Sequence, residues 1–176
     1  MNDRRRFLRH TAAWAAAGGV PGLARAGVGA RALSMDHTHT GERIELVYAT
    51  GEGYLPQALG ALNHFLRDHY SGEIGRIDPV LFDLLHRVRQ TLGHAGAFEV
   101  ISGYRCAATN ERLRTTRGGG VAKTSLHTEG RAIDVRLPGV ALADLRDAAW
   151  SLGAGGVGYY PGERFVHIDT GRVRRW

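Results

Sequence analysis

The chain has 176 residues, a formal charge of +6 and one cysteine, enough length for one domain with a modest core and too few thiols for an internal disulfide. The basic excess is unevenly placed: the first 26 residues carry five arginines and one aspartate, which leaves the remainder of the chain at about +2. That excludes a nucleic-acid partner on compositional grounds, because no basic stripe interleaved with aromatic residues remains.

Asp3-Arg4-Arg5-Arg6-Phe7-Leu8-Arg9 has paired arginines followed by Phe-Leu and reads as a twin-arginine export signal. An apolar Ala/Gly-rich segment over 11–23 and the small residues of Ala24-Arg25-Ala26 come next, giving a signal peptide over 1–26, a mature start at Gly27 and a periplasmic location. The apolar segment is too short for an anchor helix, and no later segment predicts stable insertion of the mature chain in a membrane. Residues 27–43, rich in Gly, Ala, Ser and Thr, predict a flexible linker; His37 and His39 fit a solvated arm better than a metal pair. The folded domain is then expected over 44–176.

Residues 44–49 alternate apolar and polar and predict a strand, followed by a turn at Gly51-Glu52-Gly53. Leu55, Leu59, Leu62 and Leu66 recur at helical spacing, predicting an amphipathic helix over 55–70 with His64 and His69 off its apolar stripe. Asp78-Pro79 starts a second helix, Asp as cap and Pro in the first turn, running to Gly93 with Val80, Leu81, Leu84, Leu85, Val88 and Leu92 buried. Phe98 to Ser102 predicts a strand that delivers Gly103-Tyr104-Arg105 to its end, where functional side chains often sit. Arg105 could grip a carboxylate or steady an oxyanion; taken alone, it reads more readily as a surface arginine paired with an acid. Cys106 reads as a small core residue rather than a nucleophile.

A short helix carrying Asn110 and Arg112 leads to Arg117-Gly118-Gly119-Gly120. This run lacks the Lys-Ser/Thr pair of a phosphate-binding loop and fits a mobile loop at the rim of a cleft. Residues 132–137 then alternate so that Ile133, Val135 and Leu137 share one strand face and Asp134 the other; in 165–169, Val166 and Ile168 face inward and His167 and Asp169 outward. Neighbouring strands could thus present Asp134 and His167 together, with His127 arriving from the preceding loop and Gly130 allowing the tight turn between them. Two imidazoles and a carboxylate are the ligand set of a catalytic zinc with an open position. Spacing alone also admits the plainer reading of buried, hydrogen-bonded side chains. Between the two strands, 141–152 predicts a helix ended by Gly153, and 155–160 a strand whose Tyr159 or Tyr160 packs or meets a ligand.

Ser102-Gly103-Tyr104-Arg105, the Ser-x-His-x-x-Gly-x-Ala-x-Asp run from Ser125 to Asp134, Gly156-Val157-Gly158-Tyr159-Tyr160-Pro161, and Val166-His167-Ile168-Asp169 resemble the zinc D-alanyl-D-alanine peptidases, most closely the YcbK-like branch of murein endopeptidases. The resemblance covers most of 42–176. It implies His127, Asp134 and His167 as ligands of Zn2+, Arg105 as the residue that steadies the oxyanion or anchors substrate, and Ser125 as a support of the site. Many relatives carry Ser where Cys106 stands. Relatives place an acid or histidine a few residues before the second His; here the third position upstream is Arg164, and the nearest acid, Glu163, lies one further back.

These readings together predict an α+β fold of the hedgehog/D-Ala-D-Ala peptidase type, with helices on one face of a small antiparallel sheet and a metal cleft on the other. The expected function is that of an exported zinc peptidase hydrolysing peptide cross-links or stem peptides of peptidoglycan, with Arg105 and Glu163 as catalytic residues and Asp169 orienting a ligand. The alternative is a catalytically silent zinc module that binds cell wall or a protein partner, motivated by the missing acid; a thiol enzyme using Cys106 is a third.

Overall fold

The computed structural model describes residues 29–116 and 122–176. The expected signal peptide and the Gly118–Gly120 run lie outside the described residues. Eight strands and four helices occur in the order β1 (Ala30–His37), β2 (Arg43–Thr50), β3 (Gly53–Tyr54), α1 (Pro56–Phe65), α2 (Pro79–Thr91), β4 (Phe98–Ser102), α3 (Ala107–Thr116), a single 3-10 turn (Leu126–Glu129), β5 (Ala132–Arg136), α4 (Leu142–Ser151), β6 (Gly156–Tyr160), β7 (Phe165–Asp169) and β8 (Arg174–Arg175). The strands form one sheet in the order β3-β2-β1-β4-β5-β7-β6-β8.

The fold is α+β as expected, but the sheet is neither small nor purely antiparallel. β1 runs parallel to β4 and β8 parallel to β6, while the other neighbours are antiparallel. The first difference corrects the linker expected over 27–43. Ala30–His37 is a strand near the middle of the sheet, hydrogen-bonded between β2 and β4. Its Leu33, Met35 and His37 are buried; these alternate, but the small residues around them dilute the signal. His37 is therefore in the interior, not on a solvated arm.

α1 also ends sooner than its leucines suggest. After Phe65 the chain turns around the Asp68 carboxylate, which accepts the N–H groups of Tyr70 at 2.9 Å and Cys106 at 3.0 Å. Burial pushes Asp68 upward, but a hydrogen bond from the Thr109 side chain together with those from Cys106 and Tyr70 N–H holds it at a pKa of about 2. A local carboxylate-to-backbone turn thus competes successfully with helix continuation. α2 begins as expected, with Asp78 accepting from Val80 N–H at 3.0 Å and Pro79 in the first turn, but Val80, expected in its buried stripe, is exposed, the apolar face being carried by Leu81, Phe82, Leu84, Leu85 and Val88.

One continuous core joins Leu62 and Phe65 of α1, Leu81, Phe82, Leu85 and Val88 of α2, and Leu145 of α4 to the inward residues of β1, β4, β5, β6 and β7. α3 is the exception. Its Leu113 stands outside that core and lines a cleft with residues from the ends of β4, β5, β6 and β7.

Gly130 locks the turn before β5 onto α2. It has φ +67°, an added Cβ would lie 1.9 Å from the Arg76 carbonyl oxygen, and its own carbonyl accepts from Asp78 N–H at 2.9 Å. Gly130→Ala is expected to lower stability by at least about 1–3 kcal/mol in urea denaturation, because both the left-handed backbone and the close carbonyl oppose a side chain.

Candidate metal centre

Strand register brings the site together. Asp134 of β5 stands directly opposite His167 of β7 and is also paired with Ser102 of β4. The next residues on either side, Ile133, Val135, Val166 and Ile168, are fully buried in the core on the other face, so the core fixes which way the two polar side chains point. His127 comes from the 3-10 turn. Ser125 caps that turn by accepting from His127 N–H at 3.4 Å, and Gly130 ends it.

The donor atoms converge. His127 Nε2 lies 3.3 Å from His167 Nδ1 and 3.3 Å from Asp134 Oδ1, and His167 Nδ1 lies 2.9 Å from the same Oδ1. Among the described residues this is the one group of three or more His, Cys, Asp or Glu side chains whose ligand atoms come close enough to share an ion. The outer atoms are oriented for that task. His127 Nδ1 stands 2.7 Å from the Gly103 carbonyl; a carbonyl only accepts, so Nδ1 carries the proton and Nε2 presents its lone pair inward. His167 Nε2 stands 3.1 Å from Asp169 Oδ2, which leaves Nδ1 as the inward atom. Asp169 in turn is fixed by Gly156 N–H at 3.0 Å, Gly171 N–H at 2.7 Å and Arg174 at 2.8 Å.

The electrostatics arise from those contacts. Burial raises the Asp134 carboxyl, yet the His127 and His167 imidazoles outweigh it and hold Asp134 well below the usual carboxylate range. Burial would lower His167, but hydrogen bonds and charge from Asp134 and Asp169 raise it to about 9. Asp169, despite its burial, is held at about 2 by His167 and the two backbone donors.

Arg105 reaches the same place from the exit of β4. Its guanidinium donates to Ser102 Oγ at 3.3 Å and Asn110 Oδ1 at 3.4 Å and stands 3.9 Å from Asp134 Oδ2. Glu163 is exposed in the hairpin between β6 and β7 and lines the cleft with Phe165 and His167, while Arg164, at φ +61°, lines a separate depression. Alternation along β7 puts Phe165 and His167 on the cleft side, whereas Glu163 and Arg164 lie in the turn before it, where the left-handed backbone of Arg164 separates the two side chains. Tyr160 lines the cleft and Tyr159 does not. Cys106 is 5 % exposed, bonded to Thr109 and absent from the cleft lining, which leaves the thiol reading without an accessible nucleophile.

Three contributions were not anticipated from the sequence. Arg174 holds Asp169, Trp176 places its ring 5.3 Å from that of His167, and His39 stacks on His69 at 4.2 Å to form another part of the cleft wall. None of these carries a local signal. The cleft holds about 330 Å³, room for a peptide segment at its mouth.

Residues 25–176 match the family described as peptidoglycan L,D-endopeptidase MepK. Peptidoglycan L,D-endopeptidase MepK of Escherichia coli (strain K12) is 49% identical over 146 residues, covering 83% of this chain and 80% of that protein. The Shigella flexneri protein of the same name gives the same identity and coverage, and the probable peptidoglycan L,D-endopeptidase MepK of Haemophilus influenzae is 42% identical over 147 residues, 83% of this chain and 78% of its own. No solved structure matches the chain.

Two outcomes are expected. Asp169→Ala should weaken metal binding about 10–100-fold, read by competition with a chromophoric chelator, because it frees the His167 ring to rotate. In the metal-free protein, protonated His167 contributes stability that is complete below its ordinary value of 6.5 and is lost as pH rises through about 9. Metal must displace that proton, so apparent metal affinity should climb with pH across the same interval.

Proposed function

The chain belongs to the peptidoglycan L,D-endopeptidase MepK family of zinc D-alanyl-D-alanine peptidase-like enzymes, and from that premise we propose that His127, Asp134 and His167 hold a zinc ion with which it hydrolyses peptide cross-links. The enzyme is a murein endopeptidase; the finer reading is that the bond runs from an L-configured to a D-configured centre, as the relatives' name states for them. The observation that carries the metal assignment is the meeting of His127 Nε2, Asp134 Oδ1 and His167 Nδ1 within 3.3 Å of one another. Two neutral imidazoles and one carboxylate suit zinc and leave a coordination position for substrate or water.

Zinc held there supplies a Lewis acid that polarises the scissile carbonyl and acidifies water. The protein residues supply the rest. Arg105, gripped by Ser102 and Asn110, presents fixed positive charge beside the site, where it anchors a peptide carboxylate or faces the oxygen on which charge develops. Glu163 takes the proton from the attacking water and passes it to the leaving amine. Its exposed place on the hairpin tip lets it reach the cleft mouth. Asp169 keeps the His167 ring in the tautomer that leaves Nδ1 free. The silent-module alternative was motivated by the lack of an acid three residues before His167; with Glu163 on the cleft side and Arg164 turned away, that motive weakens.

The work is done outside the cytoplasm, in the periplasm, if the paired arginines of residues 3–9 act as a twin-arginine signal. No helix among the described residues is long and apolar enough to cross a membrane, in keeping with a polymer substrate reached from the aqueous side.

Metal analysis together with release of new amino groups from purified peptidoglycan tests this reading. Wild-type protein should carry stoichiometric zinc and lose digestion on chelation, and His127→Ala should lose both metal and digestion. Glu163→Gln should keep its metal while kcat falls about 10²–10⁴-fold. Full activity in Glu163→Gln would remove the proton-transfer assignment, and loaded wild-type protein without digestion would restore the binding module.

A further inference from the structure

The C-terminal strand ends beside His167. Trp176 is tied to β6 through its backbone: its carbonyl accepts from Tyr159 N–H at 3.0 Å and its N–H donates to the Val157 carbonyl at 3.3 Å. The indole sits over Gly158, where an added Cβ would come within 2.7 Å of the ring. The Arg174 guanidinium covers it at 4.8 Å while pairing with Asp169. From this seat the indole N–H donates to the Tyr160 hydroxyl at 2.6 Å, and the Tyr160 ring is stacked on Phe165 at 4.6 Å.

A phenol oxygen donates one hydrogen bond and accepts up to two, whereas an indole N–H only donates. Tyr160 is therefore the acceptor in its contact with Trp176, and its own proton is directed elsewhere. Among the described residues no acceptor receives that proton. Tyr160 and Trp176 both line the cleft of the metal centre, with Trp176 49% exposed. The hydroxyl is thus a donor held between two aromatic neighbours, without an acceptor among the described residues, on the wall of the cleft. There its proton meets water in the open cleft and can be handed to an oxygen of a bound ligand.

We propose that the Tyr160 hydroxyl binds substrate, donating to a carboxylate or carbonyl oxygen of the cross-linked peptide, and that Trp176 is a positioning residue acting through it. The murein endopeptidase reading above supplies the identity of the ligand. The geometry of the donor does not depend on it. Tyr160→Phe deletes the donor and keeps the ring that stacks on Phe165; Trp176→Phe keeps an aromatic ring over Gly158 and deletes the bond that aims the hydroxyl.

The test measures equilibrium binding of a purified cross-linked muropeptide dimer to chelator-treated protein, which cannot turn it over, beside KM and kcat of the zinc-loaded enzyme. Tyr160→Phe should weaken binding and raise KM about tenfold, the worth of one hydrogen bond, with kcat within about twofold and zinc content unchanged. Trp176→Phe should weaken binding comparably, and the double variant should be no weaker than Tyr160→Phe alone, because the pair acts as one unit. Wild-type binding in Tyr160→Phe, or losses that add in the double variant, would overturn the proposal while leaving the peptidase intact. A wild-type protein that binds the dimer without cleaving it would instead sink the peptidase and leave this contact standing. Amidating the free carboxyl groups of the dimer identifies the acceptor: the difference between wild type and Tyr160→Phe shrinks for a carboxylate, which becomes a neutral and weaker acceptor, and is unchanged for a peptide carbonyl.

Discussion

The cross-strand pairing of Asp134 with His167 is the constraint on which the rest of the molecule depends. A shift of one residue in the register of β5 against β7 would send both side chains into the core and turn Ile133, Val135, Val166 and Ile168 outward. The apolar face forbids it. Those four residues are sealed beneath α2 and α4 in the same core that the helices need for their own stability, so the energy that folds the domain also sets the positions of Asp134 and His167. Around them, hydrogen bonds from Arg131 N–H to Leu126 O at 2.9 Å and Thr170 N–H to Arg131 O at 3.0 Å tie the turn carrying His127 to the ends of the two strands.

Placing these polar groups in the interior costs solvation, and the protein offsets that with a line of alternating charge. Arg174 pairs with Asp169, Asp169 meets His167, His167 meets Asp134, and Arg105 stands beyond Asp134. Each charged group has an opposite neighbour and most lone pairs have donors, the condition under which buried ions are tolerated. The same line has a functional consequence. It fixes the orientation of both rings, so the inward nitrogens already point at one place, and an ion that binds there displaces the proton of His167 without turning either ring.

The cleft around the centre is assembled from places far apart in the chain. One wall is the stacked pair His39 and His69; another is Tyr160, Phe165 and Trp176; Arg105 and the short α3 with Leu113 close a side. Rings held by neighbours lose little freedom when a ligand is bound, which favours recognition of an extended peptide over a shallow surface. The helices α1, α2 and α4 carry the core, while loops and strand residues line the cleft.

Period and chemistry within short stretches were enough to give most of this away. The alternation in 132–137 and 165–169 and the Asp-Pro start of α2 lie in contiguous residues, so the α+β class and the two site strands were legible from period alone, whereas His127, Asp134 and His167 were singled out as a set by motifs that resemble those of zinc peptidases. The rest was decided by contacts between distant segments. Ala30–His37 became a central strand because β2 and β4 offered it backbone partners on both sides, which no composition of small residues announces. α1 stopped at Phe65 because the Asp68 carboxylate found Cys106, a partner 38 residues away. Arg174 reached Asp169 and Trp176 reached His167 because β8 added to the edge of β6. Side-chain periodicity is a property of the chain with itself, whereas hydrogen-bond partners and cleft walls exist only after folding has brought separate elements to bonding distance.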